Sequence, residues 1–387
     1  MVLKVDYPRR LRAPAQSFFL FGPRGSGKTT WCRSQFPEAV RIDLLDQARY
    51  HDYLARPGAF ADELRALAPG STVCVDEIQR VPELLNEVHR FLEERDLRFV
   101  LCGSSSRKLK QHGTNLLAGR ALRREMHPFV PAELGRDFDL ATALTYGTLP
   151  VIWRSTSRKE ALEAYARMYL REEIQAEALV RNLPGFARFL PIAGLFHGQT
   201  LNTSSLARDA GVSRTTVNGY LQILEDTLLA FRLPAHAARL RVREKKHAKL
   251  YWVDAGIVRA VRGHLGKPDA EESGALFEGW VANLLRIHGD YDGLFDEWCY
   301  WSPAEALRTE VDFLLRRGKE WLAIEVKSGE RVGPDDLRGL KAVEDLKGLV
   351  RRVLVFRGER RMKTEEGIEV WPIGALHQAL ADGSLWP

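Results

Sequence analysis

Residues 22–29 read Gly22-Pro23-Arg24-Gly25-Ser26-Gly27-Lys28-Thr29 and match G-x-x-x-x-G-K-[ST] at every fixed position. Upstream, Ser17-Phe18-Phe19-Leu20-Phe21 reads as a buried strand; downstream, Thr30-Trp31-Cys32-Arg33 opens a helix. Strand, glycine loop and helix in that order build a cradle for phosphate. Glycines let the backbone turn tightly so that successive N–H groups point inward. The helix N-terminus adds a favourable dipole, Lys28 reaches the β- and γ-phosphates, and the Thr29 hydroxyl holds Mg²⁺. Residues 22–30 are therefore expected to bind ATP with Mg²⁺, Thr30 closing the loop.

The whole chain sets the frame around that loop. At 387 residues it has room for two or three domains of ordinary size. With 45% hydrophobic and 28% charged residues it reads as globular, and a formal charge of +6 permits a polyanionic partner. Cys32, Cys74, Cys102 and Cys299 form no C-x-x-C pair and read as buried free thiols in a reducing cytoplasm. No apolar run reaches the length of a membrane span, and residues 1–12 lack the apolar core of an export signal. A cytoplasmic protein without membrane contact is expected.

A second apolar strand, Val73-Cys74-Val75, ends in Asp76-Glu77. Two carboxylates at a strand C-terminus downstream of a P-loop make a Walker B arrangement: Asp76 holds the Mg²⁺ water shell and Glu77 polarises the attacking water. Val40-Arg41-Ile42-Asp43-Leu44 reads as an intervening strand. A further strand, Phe99-Val100-Leu101-Cys102-Gly103, runs into Ser104-Ser105-Ser106, where Ser104 or Ser105 is placed to sense the γ-phosphate. Arg120, in Leu117-Ala118-Gly119-Arg120 ahead of Arg123 and Arg124, stands either as a finger reaching a neighbouring subunit's nucleotide or as a surface ion pair.

These pieces together resemble the bacterial and archaeal AAA-type ATPases that carry a C-terminal domain of unknown function. Further similar pieces are Tyr146-Gly147-Thr148-Leu149-Pro150, Tyr169-Leu170-Arg171-Glu172-Glu173 and Tyr251-Trp252-Val253-Asp254-Ala255-Gly256, so the resemblance covers nearly the whole chain.

From Ala141 the pattern turns helical, with apolar residues at helical spacing across residues 159–178. The stretch from Leu201 to Val217 then reads as a helix-turn-helix. Thr203 or Ser204 caps a short helix, Gly211 makes the turn, and Ser213 caps a second helix that buries Val217, Leu221 and Leu224. Arg214, Thr215, Thr216 and Asn218 face outward, as a recognition helix presents side chains to a major groove. The basic run that follows offers Arg239, Arg241, Lys245 and Lys246 to a phosphate backbone. The alternative is a module that contacts only protein.

Three features recur near the C-terminus. A helix around Leu276–Leu285 carries Glu278 beside an apolar stripe. A strand, Thr309-Glu310-Val311-Asp312-Phe313-Leu314-Leu315, leads to a turn at Gly318. The returning strand, Trp321-Leu322-Ala323-Ile324-Glu325-Val326-Lys327, puts Glu325 and Lys327 on one face by its period of two. This resembles the PD-(D/E)xK nuclease superfamily, with Val311-Asp312 in place of Pro-Asp. The resemblance implies Mg²⁺ ligation by Asp312 and Glu325, a Lys327 that positions the attacking hydroxide, and Glu278 as helical helper.

The fold class expected is α/β: a P-loop AAA-type ATPase core over residues 1–140, a helical winged helix-turn-helix domain over 141–248, and a restriction-endonuclease-like α/β domain over 249–387. The function expected is ATP hydrolysis coupled to action on DNA, branched intermediates included, by a ring or other homo-oligomer. The alternative is an ATP-dependent switch that binds a protein partner and carries an inert nuclease-like fold.

Overall fold

The computed structural model describes residues 7–105, 107, 109, 116–169, 182–236, 246–303 and 309–387. The apolar run ahead of the glycine loop forms β1 (Phe18–Phe21), buried along its whole length. It lies in a five-stranded sheet with β2 (Val40–Asp43), β3 (Thr72–Asp76), β4 (Arg98–Gly103) and β5 (Leu122–Glu125), in the order β2-β3-β4-β1-β5. All four pairings are parallel. Parallel strands buried on both faces need continuous apolar sequence, which explains Phe-Phe-Leu-Phe here. β4 separates β1 from β3, and β2 lies at the edge of the sheet. The C-terminal ends of β1, β3 and β4 therefore open on one edge, where ligands of parallel sheets bind.

In the middle of the chain, helix Thr203–Ala210 packs against helix Arg214–Asp226. Gly211, at φ 63°, makes the turn between them; a side chain there would meet the left-handed penalty. Ser213 caps the second helix by accepting from the Thr216 N–H, and Val217, Leu221 and Leu224 are buried. The cap of the first helix differs from expectation. It is Asn202, whose side chain accepts from the Ser204 and Ser205 N–H groups at 3.1 Å each. Asn202 holds extended backbone just outside the helix, which leaves its amide oxygen free to turn back on those donors. Of the helical run expected over 159–178, the structure shows helix Arg158–Ala164 and a wider turn at Tyr165–Tyr169; residues 170–178 lie outside the described residues.

Three short strands, β6 (Gln199–Thr200), β7 (Ala230–Leu233) and β8 (Lys249–Trp252), form an antiparallel sheet in the order β6-β8-β7. β8 starts at Lys249, so this sheet straddles the boundary expected at residue 248. The last part begins with helix Ala270–Asp292 and continues through β9 (Glu297–Trp301), β10 (Val311–Arg317), β11 (Glu320–Lys327), β12 (Leu349–Phe356), β13 (Met362–Lys363) and β14 (Glu369–Pro372). These six strands make one mixed sheet in the order β13-β14-β12-β11-β10-β9, closed by helix Ile373–Asp382. β9, β10 and β11 form an antiparallel meander, while β11, β12 and β14 run parallel. Backbone bonds from Tyr300 N–H to Pro234 and from His236 N–H to Tyr300 (3.0 and 2.7 Å) stitch the middle sheet to the last one. One apolar core runs from Phe129 to Trp386 through both. Among the described residues, no helix is long and apolar enough to cross a membrane.

Candidate functional site

The glycine loop takes the shape its chemistry needs. Gly25 and Gly27 sit at φ 79° and 92°, backbone that L side chains rarely adopt. A Cβ on Gly25 would also come within 2.4 Å of Val151 Cγ1, because the short helix Pro150–Trp153 packs on the loop and Val151 N–H donates to the Gly25 carbonyl at 3.1 Å. Lys28 opens helix Lys28–Gln35, and its buried ammonium donates to the Gly22 and Pro23 carbonyls at 2.7 and 3.3 Å. Thr29 Oγ1 donates to Asp76 Oδ2 at 2.6 Å. An oxygen from the first turn of that helix and one from the end of β3 thus meet where a hard divalent cation fits. A cavity of about 600 Å³ opens over the loop, lined by Arg24, Lys28, Thr29, Glu77, Val151 and Arg154. That volume suits a nucleotide-sized ligand. Pro23, Ser26 and Thr30 complete the loop: Ser26 N–H closes a turn on the Pro23 carbonyl, and Thr30 borders the same cavity.

Beyond Asp76 the chain turns sharply. Glu77 lies at φ 58°, a left-handed conformation uncommon for a non-glycine residue. Gln79 explains where its carboxylate goes: the buried Gln79 amide donates to Glu77 Oε2 and, at 3.2 Å, to Ser104 Oγ. Ser105 instead accepts from the Arg107 N–H in a local turn. Of the two serines, Ser104 is the one that Gln79 links to the Glu77 carboxylate. Arg120 bonds to His89 and Glu93 on helix Leu84–Glu94 of its own chain and is 43% exposed there.

On the helix-turn-helix, Arg214, Thr215 and Asn218 are exposed and Thr216 is half-buried against Ser213. Lys246 is exposed; Arg239, Arg241 and Lys245 lie outside the described residues.

The C-terminal candidates come together with partners that residue spacing did not suggest. Asp312 and Glu325, on β10 and β11, are almost fully buried, and Lys327 Nζ donates to Glu325 Oε1 at 2.5 Å. Asp312 Oδ2 accepts from the Val326 N–H at 2.9 Å. Glu278 projects from the long helix Ala270–Asp292. Between them lies Lys249, the first residue of β8, with Nζ at 2.9 Å from Glu278, 3.2 Å from Asp312 and 3.5 Å from Glu310. The Tyr251 hydroxyl donates to Glu278 at 2.5 Å. Burial, reinforced by Asp312, pushes the Glu278 carboxyl up to about 7 against the pull of Lys249. Burial and Asp312 also hold Glu325 well above the ordinary carboxylate range, against Lys327. Glu325 Oε2 is buried with no hydrogen-bond partner. An orphaned carboxylate oxygen among other carboxylates fits a Mg²⁺ ion. Even so, among the described residues Glu278, Asp312 and Glu325 do not bring three ligand oxygens within 4.8 Å of one another. The group that does, Glu125, His127 and Asp290, is already neutralised, since Glu125 pairs with Arg123 and Arg286 at 2.7 Å each.

Comparison with known proteins divides the chain in three. Residues 15–135 match an AAA domain family, residues 137–268 a domain of unknown function (DUF8612), and residues 273–376 another (DUF4143). Uncharacterized proteins of Mycobacterium tuberculosis and Mycobacterium bovis are each 26% identical over 97% of this chain and 84% of their own length. Among solved structures, the Aeropyrum pernix ORC1 protein in complex with DNA is 14% identical with a TM-score of 0.27, covering 65% of this chain and 87% of its own. That likeness is too loose to carry over a fold or a partner. Together with the P-loop geometry, the family match establishes an AAA-type P-loop ATPase domain in the first third of the chain.

Proposed function

We propose that this protein hydrolyses Mg²⁺–ATP and applies the cycle to DNA through its helix-turn-helix and its C-terminal carboxylate centre. On binding ATP, Lys28 would exchange the Gly22 and Pro23 carbonyls for phosphate oxygens, and Thr29 and Asp76 would hold Mg²⁺. Held there, the ion would supply charge neutralisation for phosphoryl transfer. Glu77 takes a proton from the attacking water; the new P–O bond forms as the bond to the leaving ADP breaks, giving ADP and phosphate. Ser104 donates to the γ-phosphate, and Gln79 ties that contact to the position of Glu77. Self-association into a ring or other homo-oligomer belongs to this reading, with Arg120 the candidate to reach a neighbouring site.

The DNA half rests on one observation above all: the buried Glu325 carboxylate beside Asp312 keeps an oxygen with no protein partner. Support comes from the order of the Glu278 helix, the Asp312 strand, the turn at Gly318 and the Glu325–Lys327 strand, on which the nuclease resemblance rests, and from the β7–β8 pair placed after the helix-turn-helix like a wing. A second reading, an ATP-controlled switch with an inert nuclease-like fold, is favoured by Lys249 lying among the carboxylates. Gel-shift and cleavage assays on linear, forked and four-way DNA, with and without ATP and Mg²⁺, separate the two. Metal-dependent cutting that Asp312→Ala abolishes while ATP turnover persists supports the first. Absence of both binding and cutting on every substrate supports the second.

A further inference from the structure

We propose that Lys249 is a built-in cation of the C-terminal centre, filling one of two cation positions, so that the site takes a single divalent ion on its Asp312–Glu325 side. This rests on reading the centre as a metal site.

The ammonium of Lys249 has the surroundings of a bound ion. It is buried, with carboxylate oxygens of Glu278, Asp312 and Glu310 at 2.9, 3.2 and 3.5 Å. Burying an ammonium is costly unless several opposite charges meet it, and here three do. Mg²⁺ binds oxygen at about 2.1 Å, so the same carboxylates cannot close on a metal while the larger ammonium separates them. The wide spacing of the ligand oxygens agrees.

Oxygen by oxygen, the partners are also allotted. Glu278 Oε1 serves Lys249 and Tyr251; Asp312 divides its oxygens between Lys249 and the Val326 N–H; Glu325 Oε1 takes Lys327. Of the oxygens these contacts leave over, Glu325 Oε2 is the one buried with no hydrogen-bond partner. Formal charge points the same way. With all four carboxylates ionised (Glu278, Glu310, Asp312, Glu325), two ammoniums (Lys249, Lys327) leave two negative charges, which one divalent ion balances and two would overshoot. The carboxylates come from the long helix, from β10 with the residues before it, and from β11. Lys249 comes from the sheet of the helix-turn-helix. The centre is therefore assembled from both units.

The test counts Mn²⁺ bound by the nucleotide-free full chain in an Asp76→Asn background, which removes the other oxygen site; ions lost on adding Asp312→Asn belong to the centre. One ion is expected. Lys249→Met should take a second ion, or hold the first roughly tenfold or more tighter, since a like charge a few ångström away is gone. Mn²⁺ should also raise its melting temperature more than that of the parent. Two ions at the centre of the parent protein would overturn the role of Lys249 and leave the metal site standing, and that count needs no Lys249 variant to fold. An unchanged count and affinity in a folded Lys249→Met would overturn it equally. No ion at the centre of either protein would remove the metal-site reading along with it.

Discussion

Glu77 is held in a backbone conformation that costs a non-glycine residue roughly 1–2 kcal/mol. The return is placement, because its carboxylate meets Gln79 and, through it, Ser104. Lys28 and Glu77 then divide the chemistry. In the proposed reaction Lys28 contacts phosphate in the bound state, whereas Glu77 acts on the water. Lys28→Ala is expected to abolish nucleotide binding, and Glu77→Gln to keep binding but slow turnover by about 10²–10⁴-fold. Equilibrium binding of a fluorescent ATP analogue beside steady-state phosphate release checks the pair; normal turnover in Glu77→Gln would refute the base assignment. These residues were legible because phosphate binding restricts residue types at fixed spacing. Gln79 and Lys249 were not. Their roles arise only when the fold brings Ser104 and Asp312 to them across 25 and 63 positions of chain, and neither belongs to a local pattern.

Among the elements, helix Arg214–Asp226 was the easiest to foresee. Its buried face at Val217, Leu221 and Leu224 and its exposed Arg214 follow from helical periodicity, and its serine cap from the hydroxyl that can accept from the first turn. The cap of the preceding helix was misplaced, since Asn, Thr and Ser side by side at 202–204 are all competent caps and only the backbone decides among them. If this pair reads DNA, affinity must fall with salt, because each lysine or arginine on a phosphate releases counterions. Charge reversal at Lys246 or removal of Arg214 should flatten the log–log salt slope by about 0.9 per lost phosphate contact. Fluorescence anisotropy across a salt series measures this. Unchanged affinity and slope in both variants would place the DNA contact elsewhere or remove it.

Across the whole molecule the two later units proved more joined than the residue pattern suggested. Pattern shifts mark where elements change type, but they do not show that β8 closes a sheet begun before it or that one core spans Phe129 to Trp386. Two motifs noted only by resemblance turn out to touch. The buried Asp254 carboxylate accepts from the Thr148 and Leu149 N–H groups at 2.7 and 3.0 Å, and Val151 continues to the Gly25 carbonyl. Lys249 lies on the strand that leads to Asp254, so a continuous path of bonds runs from the P-loop to the carboxylate centre.

At the same scale lies the question of subunits. Arg120 pairs with Glu93 at an exposed surface, an interaction of small worth that a neighbouring nucleotide could replace. Mixing Arg120→Ala with Lys28→Ala subunits is expected to restore part of the ATP turnover that each lacks alone. No recovery, in mixtures shown by native mass spectrometry to co-assemble, would rule the finger out.

The central claim is that ATP hydrolysis at Lys28, Asp76 and Glu77 serves an action on DNA. Steady-state ATP turnover measured with and without linear, forked and four-way DNA tests it most directly, with Glu77→Gln as the blank. The account predicts turnover in the wild type that at least one of these DNAs accelerates in a salt-sensitive way, and none in Glu77→Gln. Turnover in the wild type that no DNA changes at any salt concentration would contradict it.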